Sequence, residues 1–268
     1  MNSLNIFLNI LIVIFSVIVV LTIHEFGHFT FAKIFRVNVK EFSIGFGPVL
    51  FKTFTKKTNI QVSLRLLPLG AYVLMDSASI RKAYLDEPNA KKYNFYLRAR
   101  PHKTKLLEQI AYWQQMLNLF GGIFFNLIFF TFFFGIGQAI SIVNNDFLLS
   151  SLQNIFIQIG RSFVLYSLWP MQGSMGGGGG HAPGSFFQSP PNSLILLSWL
   201  LSINFSTAIV NLIPIAPLDG WKIMQTSYEK ITKKTLPEKL LVILSITGLI
   251  LVFWVTLGGI INQIRSNS

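Results

Sequence analysis

His24-Glu25-Phe26-Gly27-His28 is the stretch that decides how this chain folds, and it ends an apolar run from Leu4 to Ile23. On a helix, residues four positions apart leave the same face, so the imidazoles of His24 and His28 can hold one Zn²⁺. Glu25 directly follows the first imidazole and can act as a general base towards water at the metal. In a membrane these groups are costly, so we expect them to face a protein interior or a water pocket.

The composition is that of a polytopic membrane protein. Of the 268 residues, 51% are hydrophobic and 12% are charged, whereas soluble domains carry about 25% charged residues. The mean hydropathy of +0.55 agrees with this class. The chain contains no cysteine, which excludes disulfides, thiolate metal ligands and a cysteine nucleophile.

The net charge of +12 does not predict a nucleic-acid partner, because 15 of the 22 Lys and Arg residues lie between Lys33 and Lys105. One basic segment between apolar runs is typical of a cytoplasmic loop beside anionic lipid. We therefore expect a multi-pass protein of the cell membrane without a nucleic-acid partner. Its N-terminus and C-terminus are expected outside the cytoplasm, and its metal site towards the cytoplasmic side.

The first apolar run predicts a membrane-spanning helix from Leu4 to about Phe31, because about 20 residues cover a bilayer core of ~30 Å. Apolar and polar residues then alternate from Ile60 to Leu66, which predicts a β-strand in a hairpin. Two interpretations of this hairpin stay open. Its exposed edge could pair with an extended substrate, or it could be an ordinary interfacial element.

A second span is predicted near Gln115 to Gly137. The small residues Gly121 and Gly122 within it permit close helix approach. Asn126 lies deep in this apolar segment, and such an asparagine is typical of an interhelical hydrogen bond. The alternative is that Asn126 lines the active site and binds substrate.

The segment after the second span is predicted to lie outside the cytoplasm. Apolar residues recur at helical spacing between Leu152 and Tyr166, which indicates an amphipathic helix on the membrane surface. A further crossing is the competing interpretation, and Arg161 in mid-segment disfavours it. Residues 173–184 form a Gly-rich linker.

A third span is predicted from Leu194 to about Ile213, and Pro214 and Pro217 break it. Asp219 follows at the break, and a carboxylate there calls for a cation. The lysines that come next give this helix the orientation of the first, so both polar clusters fall at a similar depth. We therefore predict that His24, His28 and Asp219 share one zinc ion.

The sequence thus predicts an all-α polytopic membrane protein with about four transmembrane helices. It adds a small membrane-associated β-hairpin after the first span and an extracytoplasmic amphipathic helix. The predicted segments are the first span (1–31), the hairpin with a basic loop on the cytoplasmic side (32–105), the second span (106–140), the extracytoplasmic segment (141–192), the third span with the Leu-Asp-Gly motif (193–222), and a cytoplasmic turn with the fourth span (223–268).

The motif around His24 and the later N-x-x-P-x-x-x-L-D-G pattern from Asn211 together resemble the site-2 protease family of intramembrane zinc metalloproteases. The resemblance covers roughly residues 1–140 and 193–262. It implies that His24, His28 and Asp219 are zinc ligands and that Glu25 is the catalytic base.

Within that family, residues 43–48 and 66–73 resemble the bacterial branch that cleaves anti-sigma factors. In that branch these segments form a membrane-associated β element beside the site. Residues 122–126 are similar to the branch's G-P-x-x-N pattern, but Ile123 replaces the proline. The roughly fifty residues between the second and third spans are too few for the PDZ domain that is common there.

The resemblance implies hydrolysis of peptide bonds in or near transmembrane segments, as in regulated intramembrane proteolysis, with a single-span membrane protein as substrate. Asn211 is a candidate for holding the substrate backbone or the oxyanion. Two other classes stay open: a metal-binding membrane transporter, which would not need Glu25, and an inactive membrane scaffold, which would bind no zinc. The sequence lacks the G-x-G-D and G-x-S-x-G patterns of other protease types.

Overall fold

The structure is a computed structural model that describes residues 3–78, 104–144, 193–237, 239–251 and 254. The chain divides into two compact units, one of Val17–Ile128 and one of Met1–Ser16 with Phe129–Ser268. The predicted amphipathic helix, the Gly-rich linker and most of the basic loop lie outside the described residues.

Two long helices carry most of the apolar surface: α1 (Ser3–Ile34) and α2 (Tyr112–Asn144). Both expose large side chains, as Phe15 and Phe132 show at 58% and 59% exposure. By length and composition, Ile10–Ile34 and Tyr112–Ile136 are able to cross a membrane. They overlap the predicted first and second spans, while the count of four spans stays a prediction.

A two-stranded sheet follows α1, made of β1 (Val39–Phe54) and β2 (Gln61–Met75) in antiparallel pairing. The first part of β1 is paired on both of its edges: Phe42 is opposite Val73 on one side and Val62 on the other. The hairpin predicted from alternation is therefore present, and it is longer than the alternating stretch alone.

The interior of this hairpin holds a charged pair. Arg65 Nη2 donates to Glu41 Oε1 at 2.8 Å, and Arg65 Nε donates to Ser43 Oγ at 3.0 Å. Burial, followed by the negative charge of Glu41, raises the pKa of the Tyr72 hydroxyl. Burial alone would lower the pKa of Arg65, but the hydrogen-bonded Glu41 carboxylate outweighs it, so the pKa of Arg65 is raised. Because Glu41 is 1% exposed, this pairing satisfies a charge that would otherwise be buried alone.

A small apolar core joins the end of α1, the base of the hairpin and the start of α2. Its buried members come from each of these segments. Backbone hydrogen bonds tie the same segments, from Asn38 N to the Lys105 carbonyl at 3.0 Å and from Leu107 N to the Asp76 carbonyl at 3.0 Å. The core therefore fixes the hairpin against α1 and α2. Its members are Ala32, Val37, Val39, Ile60 and Ile110.

The second motif lies in a turn between helices α3 (Ser193–Val210) and α4 (Asp219–Thr232). The helix ends ahead of the two prolines and begins again at Asp219, as predicted from proline chemistry. Gly220 N donates to the Asn211 carbonyl at 2.7 Å, and a Cβ at Gly220 would lie 2.4 Å from the Leu212 carbonyl oxygen. Only glycine permits so tight a turn. A shorter apolar helix, α5 (Lys239–Leu251), comes next.

Candidate metal centre

The two histidines of the H-E-x-x-H stretch bring one nitrogen each to a common point. His24 Nε2 and His28 Nε2 lie 3.3 Å apart, and both side chains are 5% exposed. Nitrogens bound at about 2.0–2.1 Å to a tetrahedral zinc ion are about 3.3 Å apart. The pair therefore has the separation that two zinc ligands require.

Space for an ion beside these nitrogens is left by Gly122 of α2. A Cβ at this position would lie 2.5 Å from His24 Nε2 and 2.6 Å from His28 Nε2. Any side chain there would lie against both nitrogens. The missing side chain and the paired nitrogens together fit a zinc ion held by His24 and His28.

The helix α2 also meets the other nitrogen of each imidazole. His28 Nδ1 lies 2.8 Å from the backbone carbonyl oxygen of Asn118, and His24 Nδ1 lies 3.3 Å from Asn126 Nδ2. Both asparagines are 0% exposed. Metal-bound histidines usually donate their second N–H to an acceptor, which fixes the orientation of the ring. The Asn118 carbonyl oxygen is such an acceptor for His28.

Glu25 lies at the margin of the pair, half-buried. One ligand atom of each of His24, Glu25 and His28 lies within 4.8 Å of the others. The backbone N–H of Val73 in β2 donates to Glu25 Oε2 at 3.1 Å. This hydrogen bond orients the carboxylate next to the imidazoles. That Glu25 acts as the general base stays a prediction.

Glycines allow α1 and α2 to approach closely enough for these contacts. A Cβ on Gly27 would lie 2.1 Å from the Gly121 carbonyl oxygen, and a Cβ on Gly121 would lie 2.8 Å from the Gly27 carbonyl oxygen. The helix backbones therefore touch where the motif lies. Close approach at Gly121 and Gly122 was predicted, but its partner on α1 was not.

Asp219 begins helix α4, where a negative charge interacts favourably with the helix dipole. It is 4% exposed, and Lys222 Nζ donates to its Oδ1 at 3.3 Å. A lysine one turn along the same helix is therefore one partner of this carboxylate. That His24, His28 and Asp219 share one zinc stays a prediction.

The two candidate substrate-binding asparagines have different partners. Asn211 Nδ2 donates to the Thr207 carbonyl at 3.0 Å, within the last turn of α3. Its proposed role towards substrate stays a prediction. Asn126 makes the interhelical contact that its position indicated, and its partner is the candidate ligand His24. The interhelical contact is therefore also a contact with a candidate ligand. That Asn126 binds substrate stays a prediction.

Sequence reasoning missed Asn118, whose carbonyl oxygen accepts from His28 and whose Nδ2 donates to the His28 carbonyl at 3.1 Å. A signal was present. Asn118, Gly122 and Asn126 recur every four residues in an otherwise apolar helix, so they lie along one face. A polar and small stripe of this kind marks the face that meets another helix.

Comparison with known proteins agrees with this site. The model of peptidase family M50 matches residues 12–255, which include both motif regions. A relative from Clostridium acetobutylicum is 49% identical over 69 residues, and one from Helicobacter pylori is 36% identical over 107 residues. A third, from Fusobacterium nucleatum, is 40% identical over 73 residues. The name of each begins "Putative zinc metalloprotease".

These alignments span only part of either protein. They cover 26%, 40% and 27% of this chain for the Clostridium, Helicobacter and Fusobacterium relatives, and 20%, 26% and 21% of the relatives themselves. The chain therefore matches a minor part of each relative's length.

Proposed function

We propose, from the premise that this chain belongs to peptidase family M50, that it is a zinc metalloprotease that acts within the membrane. Its reaction would be hydrolysis of peptide bonds in or near transmembrane segments of membrane proteins. The names of its relatives support the metal and the reaction class. The apolar helices α1 and α2 support the location.

The observation that carries this proposal is the pair of imidazole nitrogens 3.3 Å apart with a carboxylate beside them. A bound zinc ion would polarise the scissile carbonyl group and make a water molecule more acidic. Glu25 would accept the proton of that water and pass it to the departing amine. A transport site has no need for this carboxylate, which is why the protease is favoured over a metal transporter.

Asp219 is the third ligand in this proposal, because catalytic zinc sites use three protein ligands and leave one position open. On zinc binding, its carboxylate would leave Lys222 and coordinate the metal. Asn211, at the end of α3, would hold the substrate backbone or the oxyanion.

The substrate in this proposal is a single-span membrane protein cleaved during regulated proteolysis. A transmembrane helix hides its peptide bonds, so a substrate must unwind before it is cut. The edge of β2 near Val73 that pairs with no strand among the described residues is the candidate docking strand, since the Val73 N–H donates to Glu25 and not to β1. An unwound segment added along this edge would run directly past the carboxylate.

Four spans complete the proposal, with the N-terminus and C-terminus outside the cytoplasm and the site towards the cytoplasmic side. The positions of the lysine and arginine residues support this topology. The bilayer is then the medium of the reaction, and nucleic acid has no part in it.

The decisive experiment compares purified wild-type chain with Glu25→Gln in detergent. We expect both to bind one zinc per chain and only the wild type to cut tagged single-span membrane peptides. The rate should fall about 10²–10⁴-fold in the variant, the usual contribution of a positioned base. Zinc is measured by metal analysis, and the fragments by mass spectrometry.

The matched control is Glu108→Gln. The Glu108 carboxylate accepts a backbone N–H, from Ala78 at 3.0 Å, just as Glu25 accepts one from Val73. It lies exposed outside the motif, so cleavage should be unchanged. A wild type without zinc would contradict the proposal, and so would a Glu25→Gln variant that cuts at the wild-type rate.

A further inference from the structure

The outer nitrogens of the two candidate ligands meet different kinds of group on α2. His28 Nδ1 faces a backbone carbonyl oxygen, which can only accept a hydrogen bond. His24 Nδ1 faces the side-chain amide of Asn126 at 3.3 Å. An amide side chain can present either a donor or an acceptor, depending on how it is turned. His28 therefore has a fixed partner, whereas His24 has an adjustable one.

Zinc binding through Nε2 sets the hydrogen bond that each ring needs. A neutral imidazole that binds a metal with one nitrogen carries its hydrogen on the other, so both Nδ1 atoms must donate. The Asn118 carbonyl oxygen is a suitable acceptor for His28. For His24, the atom of Asn126 that faces the ring is the donor Nδ2, so two donors would oppose each other.

The other end of the Asn126 amide supplies a second observation. Asn126 Oδ1 is buried and has no hydrogen-bond partner among the described residues. A buried acceptor without a partner is unfavourable. A half-turn of the amide would bring Oδ1 to His24 Nδ1 and provide that partner. The same rotation removes the clash of donors and satisfies the buried oxygen.

The orientation that the structure shows, with Asn126 Nδ2 facing His24 Nδ1, fits a different placement of the hydrogens on the same groups. Asn126 Nδ2 then donates to His24 Nδ1, His24 Nε2–H donates to His28 Nε2, and His28 Nδ1–H donates to the Asn118 carbonyl. In that pattern a hydrogen lies between the two Nε2 atoms, where the ion would sit. The orientation of the Asn126 amide and occupation by zinc are thereby coupled.

We infer that Asn126 is a positioning residue whose side-chain oxygen accepts a hydrogen bond from His24 Nδ1–H and so holds His24 ready to bind zinc. This inference rests on the proposed zinc site. It assigns Asn126 to the support of a ligand, and it requires an acceptor at this place. Removal of such a supporting group usually weakens metal binding about 10–100-fold.

The test measures the zinc affinity of the full chain in detergent by competition with a chromophoric chelator. We expect Asn126→Ala to bind zinc about 10–100-fold more weakly. Asn126→Asp should bind at least as tightly as the wild type, because a carboxylate can accept from Nδ1–H and has the shape of the amide. Cobalt substitution gives a second readout, since its visible spectrum should match the wild type in Asn126→Asp and differ in Asn126→Ala.

The control is Asn204→Ala on α3. Asn204 is also fully buried, donates to a carbonyl of its own helix at 2.8 Å, and has an unpartnered Oδ1 among the described residues. Zinc affinity should be unchanged in this variant. If it falls as far as in Asn126→Ala, loss of any buried asparagine explains the effect and the inference is wrong.

The outcomes separate the inference from the proposed function. If the wild type binds zinc and Asn126→Asp binds it as weakly as Asn126→Ala does, the inference is wrong. The protease proposal is then unaffected. A wild type that binds no zinc would overturn both. Should Asn126→Ala fail to fold, Asn126→Asp alone decides: tight binding supports an acceptor role, and binding at least about tenfold weaker indicates a donor.

Discussion

The two motif regions of this chain hold their polar groups by different means. His24 and His28 belong to one helix, and a second helix meets the outer nitrogen of each ring. Asp219 begins a helix of its own, and it pairs with Lys222, whose side chain is 55% exposed. Packing between α1 and α2 therefore positions the first group, whereas an ion pair with a largely exposed lysine is one of the contacts of the second.

This difference indicates which part of the proposed zinc site is already in place before a metal ion binds. An ion pair with a largely exposed lysine contributes about 0–1 kcal/mol, so loss of the Lys222 contact itself costs little. The imidazole pair lies on α1 beside the close contact of Gly27 with Gly121 of α2, which holds the two helices together at the site. We expect the imidazoles to define where zinc binds, and Asp219 to complete the coordination.

The largest effect is expected from Gly122→Ala, which places a methyl group at the predicted position of the ion. The new Cβ would lie 2.5 Å from His24 Nε2 and 2.6 Å from His28 Nε2. Zinc bound to the purified protein should fall to background, as measured by metal analysis. This variant tests the difference between the two regions, because it fills the space beside the imidazoles and does not change the Asp219 region.

Gly135→Ala on the same helix is the control. A Cβ at Gly135 meets nothing within 4 Å, so zinc content should match the wild type. Thermal unfolding of both variants shows whether the fold survives. Stoichiometric zinc in a folded Gly122→Ala protein would place the metal elsewhere and remove the basis of the comparison.

Asp219→Ala tests the other region. If the carboxylate is a direct ligand, zinc affinity should fall further than for loss of a supporting group, by more than about 100-fold. Lys222→Ala should act in the opposite direction, with binding up to about fivefold tighter, because the competing ion pair is gone. Chelator competition measures both changes. If Asp219→Ala binds zinc with wild-type affinity, Asp219 is not the third ligand and the contrast between the two regions does not hold.

The sequence predicted those features that short-range chemistry determines. Spacing by four residues put His24 and His28 on one face of a helix, and proline chemistry ended α3 before Asp219. Alternation predicted the hairpin strand around Val62. Each of these follows from backbone geometry within a few residues, and the structure agrees with all three.

The rest depended on which helix faces meet, and no local pattern specifies that. The partners of His24 and His28 on α2 follow from the crossing at Gly27 and Gly121, which lie 94 positions apart in the sequence. The hydrogen bond from Val73 to Glu25 likewise requires the packed position of the hairpin. Polar residues such as Asn126 could be recognised as unusual, but their partners could not be identified.

The smallest effect on zinc affinity is expected from Asn118→Ala. This variant distinguishes support of a histidine by a backbone carbonyl from support by an asparagine side chain. The substitution removes the hydrogen bond from Asn118 Nδ2 to the His28 carbonyl at 3.1 Å. It retains the backbone carbonyl oxygen that lies 2.8 Å from His28 Nδ1. Zinc affinity should therefore stay within about threefold of the wild type, well short of the 10–100-fold loss that follows removal of a group supporting a ligand.

In Asn118→Ala, loss of that hydrogen bond should lower the stability of the fold and leave the zinc affinity nearly unchanged. A buried hydrogen bond between neutral groups contributes about 0.5–1.5 kcal/mol, so the midpoint of thermal unfolding should fall by a few degrees. Chelator competition and thermal unfolding on the same preparation measure the two effects together. Zinc binding as weak as that of Asn126→Ala would contradict the distinction, because the two histidines would then depend equally on asparagine side chains.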